Sequence, residues 1–210
     1  MPKITFPKFR VIFLPKKYED NGIVLDFLPS GRTDDQKPAH LREPIAQLLG
    51  KNFFTLLEAV PNEDVSLNPH DEVYIGKGDR EKIERVKRRI GYDDLTSASK
   101  AELPVAIEKL INEDKDRFVE FFNEAGPITS RYHQLELIPG IGKKLMWAII
   151  EAREKGEFDD FEDLKNRVKS LPKPEKILAK RIIKELKGED KYRIFVRRPK
   201  QESGGGEPYQ

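Results

Sequence analysis

Apolar residues in the first part of the chain come in short runs separated by Gly, Pro, Asn and Asp, the pattern of strands and turns. Residues 4–14 mix apolar and basic positions around Pro7, and Pro15 follows. Proline lacks the N–H that a sheet ladder needs, so this stretch reads as an arm or an edge strand. Asn21-Gly22 signals a turn before a buried-strand run at 23–28, and a polar loop follows at 29–38. Residues 43–49 read as a short helix or a strand lead-in, 53–60 as a strand, 61–69 as a loop and 71–76 as a short strand. This series of short strands predicts a small curled antiparallel sheet or a barrel of the oligonucleotide-binding (OB) type, with an ordinary antiparallel sheet capped by a helix as the alternative.

Beyond residue 79 the apolar spacing lengthens to three and four. Ile83, Val86 and Ile90 then share one side of a helix over 80–90, with Asp79 as its N-cap. The other side would carry Arg80, Lys82, Arg85, Lys87, Arg88 and Arg89, cations suited to a phosphate backbone or simply to solvent. Residues 96–125 read as helical, capped by Thr96, Ser97 or Ser99 and broken near Asn112-Glu113-Asp114. Gly126-Pro127 ends them. Residues 192–197 have the pattern of a strand with no strand neighbour nearby, and are expected to return to the N-terminal sheet. The Gly-Gly-Gly tail reads as flexible.

The most informative stretch runs Leu135-Glu136-Leu137-Ile138-Pro139-Gly140-Ile141-Gly142-Lys143-Lys144 and into an apolar helix. A short helix ends at Leu137 or Ile138, the Pro-Gly-Ile-Gly segment turns the chain, and a second helix runs from Lys143 to about Glu154. Glycine adopts backbone angles closed to other residues and leaves N–H groups uncovered. Those groups stand at the start of a helix, where the macrodipole is positive and a phosphate binds without a specific side chain. Ile141 should anchor the loop in the core, and Lys143 and Lys144 add charge. Such contacts hold a backbone and do not read its sequence.

This stretch resembles the helix-hairpin-helix family of nucleic-acid-binding motifs, whose turn reads Leu-Pro-Gly-Ile-Gly. The resemblance implies phosphate contacts at Gly140, Gly142 and Lys143, with Lys144 as a weaker candidate. Met146 stands where the family usually has a small residue; it either spreads the helices or fills a gap. A degenerate second copy follows at an offset of 33, with Pro172, Leu178 and Ile182-Ile183 matching Pro139, Leu145 and Ile149-Ile150. Its turn has Lys173 and Glu175 in place of the glycines, so it reads as a structural partner in a tandem hairpin domain. Lys176, Lys180, Arg181 and Lys184 on its second helix are candidates for further basic contacts.

Charge sharpens this picture. The 210-residue chain has a net charge of only +2, which argues little. Residues 127–200 carry 19 basic against 12 acidic side chains, and residues 93–126 carry 4 against 9. Positive charge therefore gathers where the hairpin lies. The chain has no cysteine, which excludes disulfides, thiolate metal sites and a Cys nucleophile. No apolar run suits a membrane span or a signal peptide, so a cytoplasmic protein is expected. Abundant Lys, Glu and Arg without Cys lean toward a heat-adapted source.

The whole chain resembles a family of uncharacterised archaeal proteins described as predicted RNA-binding. The likeness is carried by Phe121-Phe122-Asn123, by residues 131–144, by Phe161-Glu162-Asp163-Leu164 and by residues 192–196. It implies an OB-like N-terminal region joined to a C-terminal helix-hairpin-helix domain. With the element pattern above, the chain reads as α+β, with an OB-like β domain and basic helix at 1–92, an acidic helical connector at 93–126 and a tandem hairpin domain at 127–190. A strand at 191–198 and a tail at 199–210 complete it. The hairpin leads us to expect non-enzymatic binding of nucleic acid, with no cofactor or metal; the family description and the OB-like domain put RNA before DNA.

Two other readings compete. Hairpin domains also occur in DNA repair enzymes and nucleases, but no carboxylate spacing here marks such a centre. A scaffold in a ribonucleoprotein assembly, docking a protein through the acidic helices 96–125, is the other. His40, His70 and His133 are scattered and read as surface or packing residues, with His133 placed to meet a phosphate or cap a helix. Trp147, on the second helix, reads as core rather than as a base-stacking platform. Tyr18, Phe27, Phe53 and Tyr74 are stacking candidates only if the sheet is a true OB barrel.

Overall fold

The structure, a computed structural model, describes residues 18–32 and 37–197. The arm at 4–14 and the tail at 199–210 lie outside the described residues. Five strands, β1 (Asn21–Leu28), β2 (Ile45–Gly50), β3 (Leu56–Pro61), β4 (Glu72–Tyr74) and β5 (Ile83–Arg89), form one antiparallel sheet in the order β4-β1-β2-β3-β5. Two helices follow, α1 (Ser97–Glu113) and α2 (Lys115–Glu124), then a small ribbon of β6 (Pro127–Thr129) and β7 (Tyr132–His133). A single 3-10 turn (Gln134–Leu137) leads into α3 (Lys143–Glu154), α4 (Phe161–Arg167) and α5 (Pro174–Leu186).

The curled sheet is buried on both faces, against different partners. Val24, Ala46, Leu48, Leu57, Ala59 and Ile83 face an inner core closed by the sheet's own strands and loops. Ile23, Leu25, Leu49 and Leu56 face the opposite way and join one continuous core with all five helices. Strand β2 is buried at every position as a result, which explains why residues 43–49 did not alternate like a surface strand. The break expected near residue 114 is present, with Asp114 between α1 and α2.

Residues 80–90 are not a helix. They hold strand β5, and the reason lies in its register. Arg88 pairs with Glu58 but Val86 with Ala59, and Arg85 pairs with Val60 but Ile83 with Pro61. Lys87 and Glu84 are therefore extra residues in two β-bulges. Each bulge stretches the two-residue period of a strand to three, so Ile83 and Val86 imitate the spacing of a helix face.

The sheet and α1 are joined by a buried polar knot. The fully buried Gln47 donates through Nε2 to Asp94 O (3.0 Å) and Glu58 Oε1 (3.3 Å). Its Oε1 accepts from Thr96 N (2.9 Å) and Ser99 Oγ (2.8 Å). Thr96 Oγ1 in turn accepts from Ser99 N and caps α1.

The strand expected at 192–197 is also absent. The N–H groups of Ile194, Phe195 and Val196, which a ladder would have used, donate instead to the carboxylate of Glu185 at 2.9, 3.0 and 2.9 Å. The segment still reaches the N-terminal half: Arg197 N donates to Phe53 O (3.4 Å), and Phe195 packs on Phe118 and Phe121. No helix of the described residues is long and apolar enough to cross a membrane.

Candidate nucleic-acid interface

The segment that leads into α3 begins with a strong local signal. His133 precedes the 3-10 turn, and its Nδ1 accepts from Leu135 N (3.1 Å) while Glu136 Oε2 accepts from His133 N (2.9 Å). These reciprocal bonds form a capping box. Burial, and then the positive charge of Arg153, holds His133 below its ordinary pKa of 6.5. The neutral ring is the form able to accept at Nδ1. Of the two roles open to His133, the structure assigns the cap.

The turn itself is compact. Ile141 N donates to Ile138 O (3.0 Å), and Ile141 is buried in the main core, as its place in the sequence predicted. Gly140 has φ +93°, in the region that favours glycine. A methyl group there would lie 3.5 Å from Pro172 Cγ and 3.9 Å from Ile177 Cγ2, so the first turn sits against the second copy. Gly142 is the N-cap of α3, with φ −91° and ψ −179° and no side-chain cap. Nothing lies within 4 Å of where its Cβ would stand. The N-cap is thus open on its side-chain side, and the first N–H groups of α3 have no side-chain cap.

Lys143 and Lys144 are exposed beside that opening, and neither makes a salt bridge among the described residues. Lys176 and Lys180 are likewise exposed on α5. The fold thus brings Gly140, Gly142, Lys143 and Lys144 together at one helix start, with the beginning of α5 alongside. The offset of 33 survives in the burial pattern: Met146, Ile149 and Ala152 are buried on α3, and Ala179, Ile182 and Glu185 on α5. Met146 fills core space. The short helix expected before the Pro139–Gly142 turn is only the four-residue 3-10 turn, because the β6-β7 ribbon takes up the chain as far as His133.

Three sequence-predicted contacts are elsewhere. Arg181 is fully buried, with its guanidinium bound to Glu185 Oε1 (2.8 Å), Asp190 Oδ2 (2.7 Å), Leu137 O (3.1 Å) and Tyr192 O (2.5 Å). It cannot reach a phosphate; it ties α5 to the hairpin and to the C-terminal segment. Arg88 and Arg89 lie on β5. Arg88 Nε donates to the buried Glu58 (2.8 Å), and Arg89 Nη2 donates to Arg197 O (2.6 Å). Both are engaged in holding the fold.

Trp147 is the residue that sequence reasoning misplaced most. It is 57% exposed on the outer side of α3, not core. Its position beside Lys143 and Lys144 was the available signal. Tyr18 and Tyr74 are exposed, while Phe27 and Phe53 are half-buried. Between α2 and the segment leading to α4, an acidic groove is lined by Asp114, Asp116, Glu120, Glu124, Glu157 and Asp159. Among the described residues no three His, Asp or Glu side chains converge as a metal site would need.

Comparison with known proteins places the chain in a family. It is 45% identical over 197 residues to the uncharacterized protein MJ0038 of Methanocaldococcus jannaschii, covering 93% of this chain and 86% of that protein. It is 50% identical to Af1531 from Archaeoglobus fulgidus, whose crystal structure matches with a TM-score of 0.80 over 85% of this chain and 100% of that one. Residues 18–197 match the family described as protein of unknown function (DUF655), and the chain belongs to that family.

Proposed function

We propose that this protein is a non-enzymatic nucleic-acid-binding protein that grips the phosphate backbone through the turn at 139–142 and the start of α3. The turn is read as a helix-hairpin-helix whose first arm has shrunk to a 3-10 turn. The observation that carries this reading is Gly142: an uncapped, open helix N-cap followed by two exposed lysines that make no salt bridge among the described residues. Lys176 and Lys180 extend the basic surface. RNA is the preferred ligand on the strength of the family resemblance and of the curled five-stranded sheet, read as a partly open OB-like barrel.

The test is fluorescence anisotropy with labelled single-stranded and duplex RNA and DNA across a salt series, comparing the wild type with Gly142→Glu. Binding that weakens steeply with salt and is lost in the variant, with the melting temperature kept, supports the reading. A wild type that binds no nucleic acid at low salt refutes it.

A second reading, a docking platform for a basic protein partner, is favoured by the acidic groove between α2 and the segment leading to α4. It predicts little binding to naked RNA.

A further inference from the structure

We infer that Trp147 is a base-stacking platform, and that the hairpin therefore takes a single-stranded oligonucleotide in preference to a duplex. This rests on the phosphate-binding reading above. Trp147 follows Lys143 by four residues and Lys144 by three. Residues so spaced on a helix are neighbours, with Cβ atoms about 5–6 Å apart. The helix rises about 1.5 Å per residue, so the indole stands roughly 6 Å along α3 from its opening. A phosphate seated at that opening holds its own base one sugar away, within reach of the ring.

The surroundings of the ring select the occupant. An apolar protein interface would show further exposed apolar side chains around the tryptophan. Here its helix-face neighbours are Lys143, Lys144 and Glu151, all exposed, with Ile150 half-buried. A ring flanked along its helix by cations suits a π-face carried on an anionic strand. Glu151, one turn farther on, repels phosphate and confines the backbone to the hairpin end. In a duplex the base faces are already stacked on one another, and the ring would meet only edges and phosphates.

Trp147 is the only tryptophan of the chain, so its emission reports the contact directly. Three ligands separate the possibilities: an unstructured RNA of about twelve nucleotides, a duplex of equal length, and a polyphosphate. The expected result is quenching by the single strand, and binding of polyphosphate without quenching. Trp147→Leu should weaken single-strand binding about tenfold, read by anisotropy of labelled RNA, with the salt slope and polyphosphate affinity unchanged. The side chain is exposed, so the variant should melt like the wild type. Single-strand binding with unaltered emission and undiminished affinity in Trp147→Leu overturns the stacking and leaves the hairpin reading standing. Failure to bind either RNA or polyphosphate removes both.

Discussion

Arg181 donates through Nε to Glu185 Oε1 at 2.8 Å, one helical turn apart on α5, with both side chains fully buried. Glu185 spends its remaining acceptor capacity on three backbone N–H groups of the C-terminal segment, and Arg181 its donors on Leu137 O, Asp190 and Tyr192 O. The pair is a clasp that fastens three parts of the chain. Removing one partner of such a pair strands a charge out of water. Arg181→Ala should therefore cost about 3–5 kcal/mol in urea denaturation. A loss below about 1 kcal/mol would mean the clasp is not as drawn.

Gly140 and Gly142 should part company when each is replaced by Ala. At Gly140 the left-handed backbone makes any side chain strained, at about 1–2 kcal/mol. At Gly142 the backbone is extended and the space open, so the change should cost under about 1 kcal/mol. Thermal melts of the two variants check this. Equal destabilisation would contradict the difference in backbone conformation. The same contrast makes Gly142, and not Gly140, the position at which to probe binding with the fold intact.

His133 makes the hairpin sensitive to acid. Burial and Arg153 lower its pKa in the folded protein, so the unfolded chain binds the proton more tightly. Its contribution is then fully present above the ordinary value of 6.5 and is lost as pH falls through the lowered one. Protonation also removes the Nδ1 acceptor of Leu135 N–H. Hydrogen exchange at the Leu135 amide, corrected for intrinsic rates, should show protection falling from neutral pH into the acid range. Protection independent of pH would sink this account.

Arg88 and Lys143 should separate a structural cation from one proposed to bind phosphate. Arg88→Ala should destabilise the sheet by about 1 kcal/mol, discounted for the exposure of the guanidinium, and leave the salt dependence of RNA binding alone. Lys143→Ala should leave stability alone and reduce the salt slope by about 1. A reduced slope in Arg88→Ala would return that residue to the interface. Glu58 adds a pH signature. Burial raises its pKa, but hydrogen bonds from Arg32, Arg88 and Gln47 outweigh this and hold it below the ordinary 4.5. The stability it contributes is present above that value and is lost as pH falls below it.

Local chemistry determined much of this protein without help from the fold. Pro139 to Gly142 and the lysines after them put the start of α3 at Lys143 and its end at Glu154, since glycine, proline and apolar spacing act within a few residues. The break at Asp114 and the anchoring of Ile141 were legible for the same reason. Tertiary structure decided what depended on partners far along the chain. Strand β5 needed two bulges against β3 to be a strand at all, and its spacing alone imitates a helix. Arg181 is basic and helical like Lys180 beside it, yet one is buried and the other exposed, because residues 190–197 fold back over α5 and supply the acceptors. Trp147 is outward because the core side of α3 is already filled by Met146, Ile149 and Ala152. Periodicity specifies which residues share a face; only the packed chain specifies which face meets water.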